Sequence, residues 1–461
     1  MGGAARRGRP ALVVATLAMC GTVVSLQQTL MLPVLPEFPR LLNTTADNAS
    51  WMVTATLLAG AVAIPTLSRL ADMFGKKRII LVAFAVMLLG STVGAVSQAL
   101  GPVIAARALQ GAGLAVLPIG IAIMRDELPP RRLALGVTLV SATLAVGAGG
   151  ALPMSGLIVA HLDWRAIFWI TAAASVVSLV AVAWLVPESP VRRGGSFDYA
   201  GSLLLSGAMT ALLLALSKGS LWGWLSARTL GLAMLGAVLL ALWIPAELRS
   251  HNPLVDVRIA ARRGVLLVNI ASVLTGFAMF TNMVSTMQLL QLKPVTGFGL
   301  NLDEFHAGLW MAPTALVFGA WAPVAAWLIN RFGSPVTLLG GATVMAVAYV
   351  ARVFLSSDLW QVVAGSVVVG IGTSMTFAAM PSLINAAVPP TETASANGLN
   401  TLLRSVGTST ASAAVAALTT GLVVTAGDGQ YPTYGAFAVA FWLAAGASAA
   451  AALVTVPLLR T

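Results

Sequence analysis

The sequence predicts an all-α membrane protein with fourteen transmembrane helices in 461 residues. Three observations carry that prediction. The chain is 58% hydrophobic and only 9% charged, whereas a soluble domain carries about a quarter charged residues. Apolar runs of roughly 20 residues, parted by short polar turns, recur from end to end. Each is long enough to cross ~30 Å of hydrocarbon as a helix, which satisfies its own backbone hydrogen bonds. The basic residues, finally, cluster on one set of connections.

The runs lie near 11–36, 50–70, 79–99, 102–124, 134–159, 166–187, 199–217, 227–246, 264–290, 305–330, 335–355, 360–385, 396–425 and 433–458. The first follows "MGGAARRGRP". It exceeds a signal peptide's apolar core and lacks a small-x-small cleavage site, so it reads as a retained span. Cys20, the one cysteine, lies inside it, has no disulfide partner or metal-ligand companion, and reads as apolar filler.

A net charge of +11 raises the possibility of a nucleic-acid partner, and its placement argues against one. With the N-terminus inside, eighteen basic residues fall on cytoplasmic connections and six on outer ones, Lys218 and Arg352 among the six, while Arg107 and Arg404 fall within helices. This is the positive-inside bias of a multi-pass protein with both termini cytoplasmic. The preference for Arg over Lys and the heavy use of Ala, Gly and Val suggest a GC-rich bacterium, hence the bacterial cytoplasmic membrane.

The chain contains an internal echo. "LADMFGKK" from Leu70 resembles "LINRFGSP" from Leu328, at an offset of 258 residues; "GAG" at Gly111 resembles "GIG" at Gly370, and the prolines at Pro129 match those at Pro389, at offsets of 259 and 260. Repetition in order at nearly one offset indicates two halves of like topology. The predicted division is a six-helix bundle over 1–187, an inserted helix pair over 188–262 and a second six-helix bundle over 263–461.

"LSRLADMFGKKRII" is the strongest motif. Asp72 starts a short turn, Gly75 permits a tight bend, and Lys76, Lys77 and Arg78 anchor the next helix at the headgroups. Taken alone this is a basic turn. As a whole pattern it resembles the signature loop of the major facilitator superfamily, with Ser68 where the family has a leading glycine. The resemblance implies a charge network that latches the cytoplasmic face shut, and Asn330 and Gly333 as its counterpart in the second half. "ARALQGAGLAVLP" resembles the family's fourth-span motif at Arg107, Gln110, Gly111 and Gly113, which implies a role for Arg107 in coupling and substrate-site geometry. Arg107 lies roughly 8 Å below the outer surface, where a guanidinium must face a cavity or a partner unless it snorkels to the interface. The glycines also suffice as packing residues. In "LAVGAGGALPMSGLIV", Gly147 and Gly156 fit the antiporter pattern, but Ala151 and Leu152 replace its Gly-Pro and Pro153 comes one residue later. "DWRAIF", "GSLWGW", "NPLVDVRI", "HAGLWMAPTA" and "ASANGLNTLLRSVGTS" resemble the fourteen-span drug:proton antiporter branch along most of the chain.

The ninth run is unusually polar. Thr275, Met279, Asn282 and Thr286 share one helical face, either bonding neighbouring helices or lining a cavity whose methionine adapts to varied ligands. Arg404 in the thirteenth run fits a gate or packing role. In "SLQQTLMLPVLP", Gln27 stands where the family has a membrane-embedded aspartate, ~13 Å inside the outer end. The fifteen acidic residues all map to connections or helix ends. The expectation is that an amide oxygen of Gln27 or Gln28 accepts from Arg107, leaving a fixed positive charge, and that proton coupling uses a rim acid (Glu37, Asp303 or Glu304) or is absent.

The sequence therefore predicts an alternating-access exporter of small amphipathic or hydrophobic molecules. It would act as a monomer in lipid, with no cofactor or metal and with protons as the candidate coupling ion. A membrane enzyme would need paired carboxylates, a metal cluster or a nucleophile–base pair at membrane depth. The scattered His161, His251 and His306 do not supply one. A facilitator, lipid transporter or membrane sensor without transport is the remaining alternative, kept open by Gln27.

Overall fold

Fourteen long helices, a hairpin and a few single helical turns make up the computed structural model, which describes residues 10–31, 34, 38–192, 194–426 and 429–460. The long helices are α1 (Pro10–Thr29), α2 (Ala46–Phe74), α3 (Lys76–Val96), α4 (Leu100–Glu127), α5 (Pro130–His161), α6 (Ala166–Leu185), α7 (Tyr199–Trp222) and α8 (Ala227–Arg249). They continue with α9 (Arg263–Gln291), α10 (Glu304–Ala320 and Ala322–Phe332), α11 (Ser334–Phe354), α12 (Leu359–Ala387), α13 (Thr393–Gly421) and α14 (Tyr434–Thr455). Among the described residues, twelve are both long and apolar enough to cross a membrane. The other two, α5 with 32 residues and α13 with 29, have the length.

Local chemistry sets the ends and bends. Thr45 caps α2 by accepting from Asn48 N, Asp198 caps α7 from Gly201 N, and Asp358 with Gln361 forms a capping box on α12. Matching joints in the two halves need glycine: Gly75 between α2 and α3 has φ 119°, and Gly333 between α10 and α11 has φ 89°. They are separated by the same 258 residues as the motifs around them. α4 tightens to a 3-10 turn over Gly111–Ala115. α10 breaks at Trp321, because Pro323 at the start of its second piece cannot donate back to the preceding turn. The sequence predicts helix throughout, but β1 (Val423–Ala426) and β2 (Gly429–Pro432) form an antiparallel hairpin between α13 and α14. The β-branched "VVT" favours extended backbone over another turn of α13.

Helix packing repeats across the halves. α1 packs on α5 and α6, α3 on α4 and α6, and α2 on α4; correspondingly α9 packs on α13 and α14, α11 on α12 and α14, and α10 on α12. The halves meet where α2 lies on α13 and α5 lies on α10 and α12. Gly147 brings α5 against the α1 backbone, since a Cβ there would sit 2.6 Å from Thr22 O. α7 and α8 pair with each other, and α7 rests on α2 and α13. The α7 contact with α2 includes polar pairs: Lys218 Nζ donates to Ser50 Oγ (2.6 Å) and lies over the Trp51 ring, with Thr54–Ser217 and Thr66–Ser202 hydroxyl pairs alongside. An apolar cluster runs through both contacts, with Leu205, Met209 and Leu213 near Ala61 and Ile64 of α2 and Leu402 of α13. The far face of α8 exposes Met234, Leu235, Val238 and Leu242, an apolar belt suited to lipid.

Candidate functional site

At one end of the bundle, here termed the basic end, a short turn bends at Gly75, and the first half presents two ionic groups to the opposite half, one from α2 and one from α4. Asp72, buried at the end of α2, accepts from Ala394 N (3.2 Å), Ser395 N (2.8 Å) and Ser395 Oγ (2.7 Å). Its carboxylate thus caps the N-terminus of α13, where unpaired N–H groups and the helix dipole favour an anion. Arg125 at the end of α4 donates to Val388 O (2.9 Å) and Thr393 Oγ1 (2.7 Å). Hydrogen bonds to a charged partner contribute about 1.5–3 kcal/mol each, so the two groups together hold the halves together firmly at this end. The contact is tight: a Cβ on Gly398 of α13 would lie 2.6 Å from Ser68 Oγ on α2.

The basic residues after Gly75 stay within the first half. Lys76 is fully buried and pairs with Asp126, which also accepts from Ser189 Oγ. Glu188 accepts from Lys77 N (3.1 Å) and Arg78 N (3.3 Å) at the start of α3, and Lys77 Nζ reaches Ala183 O. Asn330, the counterpart of Asp72, is exposed. Gly333 keeps the bend, but among the described residues the charged latch has no equivalent there.

Deeper in the first half lies a buried polar node. Arg107 donates to Gln110 Oε1 (2.8 Å), Gln27 O (3.3 Å) and Met52 O (3.2 Å). Gln27 Nε2 donates to the same Gln110 oxygen (3.0 Å), and Gln110 Nε2 donates to Ser91 Oγ (2.8 Å). Arg107 and Gln27 do meet, but not by the expected bond. The guanidinium takes the main-chain carbonyl of Gln27, while the Gln27 amide turns its NH2 toward Gln110, because one Gln110 oxygen can serve both donors. Gln28 is half-buried and outside the node. Among the described residues no carboxylate joins the node. Gly111 lets α4 approach Thr56 O of α2, and Gly113 faces Met87.

The second half holds its own node, and it overturns the expectation for Arg352. Arg352 is not a cation of an outer connection. It is buried in α11, donates to Asn282 and to Thr286 Oγ1 (2.9 Å), and lies over the Phe441 ring at 4.4 Å. Asn282 Nδ2 in turn donates to Ser366 Oγ (3.0 Å). Asn282 and Thr286 are therefore occupied by an arginine from the neighbouring helix, and Thr275 returns its hydroxyl to Ala271 O. Their shared face packs on helices, since a membrane helix must place its polar side chains against partners. The run near 335–355 already contained Arg352, and its position inside that run was the available signal. Lys218, also read as an outer-connection charge, is buried on the α2 contact for a like reason.

Met279, the remaining residue of that face, is half-buried at the seam between halves, in a cluster with Leu139, Phe318 and Phe377. Phe318 and Phe377 meet edge-on at 5.8 Å. Arg404 stacks on Phe377, its guanidinium carbon 4.6 Å from the ring centroid, and it keeps 9% of its surface accessible. Of the rim acids, Asp303 is exposed and hydrogen-bonds His306, which holds its carboxyl below the usual carboxylate range. Glu37 lies outside the described residues, as do the side chains of Glu304, Pro153 and Gly156. Among the described residues there is no group of His, Cys, Asp and Glu that could hold a metal.

Comparison with known proteins fits this architecture. The chain is 27% identical over 368 residues to the tetracenomycin C resistance and export protein of Streptomyces glaucescens, covering 78% of this chain and 67% of that protein. It is 27% identical to the multidrug resistance protein Stp of Mycobacterium tuberculosis (81% and 69% covered) and 28% identical to the putative multidrug resistance protein MdtD of Escherichia coli (82% and 80%). The fold resembles that of the human organic anion transporter MFSD10 (TETRAN), with TM-score 0.70 at 14% identity over 97% of this chain and 99% of that one. It also resembles the proton:xylose symporter XylE, with TM-score 0.67 at 11% identity over 98% and 96%. The model of the Major Facilitator Superfamily matches residues 17–412 and 272–461. With that match across nearly the whole chain, and two like helix bundles latched at one end, the protein belongs to the Major Facilitator Superfamily.

Proposed function

We propose that this multi-pass membrane protein is an alternating-access exporter of small amphipathic molecules, of the drug or antibiotic kind. The observation that carries the proposal is the Asp72 latch: a carboxylate of one half caps a helix of the other, a bond that a rocking carrier must break and remake in every cycle. The names of the relatives, one an antibiotic exporter and others multidrug resistance proteins, support this cargo class. In this reading all fourteen helices span the membrane, residues 1–187 and 263–461 are the rocking bundles, and 188–262 is the inserted pair. The basic end and both termini face the cytoplasm of a bacterium, and the carrier works as a monomer.

Energisation follows from Gln27. A proton-coupled carrier needs a group that binds and releases H⁺ from alternate sides, and an amide does not titrate. Coupling then runs through a rim acid (Glu37, Asp303 or Glu304) or is absent, which makes the protein a facilitator. Gln27 also favours a second reading, a ligand sensor that no longer transports. Purified protein in liposomes separates them: efflux of an amphipathic dye supports a carrier, its dependence on an imposed pH gradient supports antiport, and binding without flux under any gradient refutes export.

A further inference from the structure

We propose that Arg404, with Phe377 and Phe318, is the recognition site for an anionic oxyacid group on an amphipathic aromatic cargo. This rests on the export reading and names its substrate class. Among the described residues, three buried arginines lie in the helices of the two bundles away from the basic end. Arg107 and Arg352 are held by acceptors of the protein: Gln110, Gln27 O and Met52 O for one, Asn282 and Thr286 for the other. Arg404 differs. Among the described residues its guanidinium has a ring face, Phe377, and no hydrogen-bond acceptor.

Its position gives that difference meaning. Arg404 is the twelfth residue of α13, about 17 Å along the helix and so near the middle of ~30 Å of hydrocarbon. A guanidinium carries five N–H donors, and a charge at that depth needs a partner or a water-filled cavity. The residue is nine-tenths buried, yet its nitrogens are not among the buried polar atoms lacking a partner, whereas Arg352 Nε is. Its donors therefore reach open space. That space lies at the seam, where Leu139 of the first half meets Met279, Phe318 and Phe377 of the second. An arginine fixed by stacking offers a paired fork to a carboxylate, sulfonate or phosphate, while the phenylalanines and Met279 suit an aromatic body. The backbone supports the placement: α9 comes against Arg404 at Gly276, where a Cβ would lie 2.6 Å from Arg404 O.

The test uses two probes of like shape, anionic 1-anilinonaphthalene-8-sulfonate and neutral N-phenyl-1-naphthylamine, on purified full-length protein in phosphatidylcholine nanodiscs and in liposomes. The expected result is that Arg404→Gln weakens sulfonate binding by about tenfold or more, as loss of a charged hydrogen bond predicts, and changes the neutral probe by less than about threefold. Arg404→Lys should retain part of the sulfonate preference. Should Arg404→Gln fail to fold, wild-type competition decides: 2-naphthalenesulfonate should displace the anionic probe far better than 2-naphthalenemethanol. Displacement by phosphatidylglycerol would identify the anion's source as a lipid headgroup, and resistance to it a soluble cargo. Equal loss of both probes in Arg404→Gln, or equal competition by the two naphthalenes, overturns the Arg404 site while leaving export standing. Wild-type protein that binds and moves neither probe counts against export itself.

Discussion

The two halves of this protein solve one problem with the same parts in swapped places. Each buries a guanidinium beside an amide side chain, without a carboxylate among the described residues. In the first half the arginine is Arg107 on α4, held by Gln110 and Gln27 O. In the second, the position 258 residues on from Arg107 is Gly365 on α12, and the arginine is Arg352 on α11, whose own counterpart in the first half is Gly94. Gly365 makes room for it: a Cβ there would lie 2.6 Å from Arg352 Cγ. The backbone repeat thus conserves the need for a buried cation and its acceptors and lets the supplying helix vary. At the basic end the halves diverge further, since Asp72 latches α13 while Asn330 is exposed.

The latch should give the largest contrast. Asp72→Ala removes three hydrogen bonds to a charged acceptor, about 1.5–3 kcal/mol each, and should lower liposome efflux by at least about tenfold while making a cysteine introduced at the basic end more reactive toward thiol reagents. Asn330→Ala should stay within about twofold; equal effects would abolish the asymmetry. Next come the two nodes. Arg107→Gln and Arg352→Gln each strand buried neutral acceptors, a loss of about 1–3 kcal/mol for an acceptor left unpaired, visible as a lowered unfolding midpoint. A drop for one and none for the other would mean that only one node stabilises its half. Smaller is Gln27→Asp, which places a titratable group beside Arg107. Efflux should become dependent on pH, and an unchanged pH profile together with unchanged cargo charge preference would remove this position from the mechanism. Smallest is Asp303→Asn. Because His306 lowers the Asp303 pKa, the carboxylate stays ionised until pH falls below the ordinary carboxylate range of about 4. Efflux between about pH 6 and 8 should keep its profile, and a shifted profile would make Asp303 a working proton site.

Much of this architecture is legible before folding. The runs of apolar residues marked the helices, since each is a local property of some twenty consecutive side chains. The 258-residue echo announced Gly75 and Gly333 as matching bends, because a positive φ is a demand on one residue. The hairpin after α13 was not legible, as a short β-branched run reads equally as the last turn of a helix. The site divided in the same way. Asp72 and Arg107 were found by motif, but the polar face of α9 gave no sign of which it was, cavity wall or packing surface. That depended on Arg352, seventy residues beyond Asn282, turning inward from the next-but-one helix.

By itself, then, the chain determined that it would lie in lipid as paired helical bundles, with its charged turns gathered at one end and no carboxylate encoded at the depth of Gln27. Those follow from composition, spacing and the cost of an unpaired backbone in hydrocarbon. Only the tertiary structure decided who holds each buried arginine. Arg107 and Arg352 found acceptors on neighbouring helices, and among the described residues Arg404 found only the face of Phe377, because hydrogen-bond partners at membrane depth are set by which helices touch.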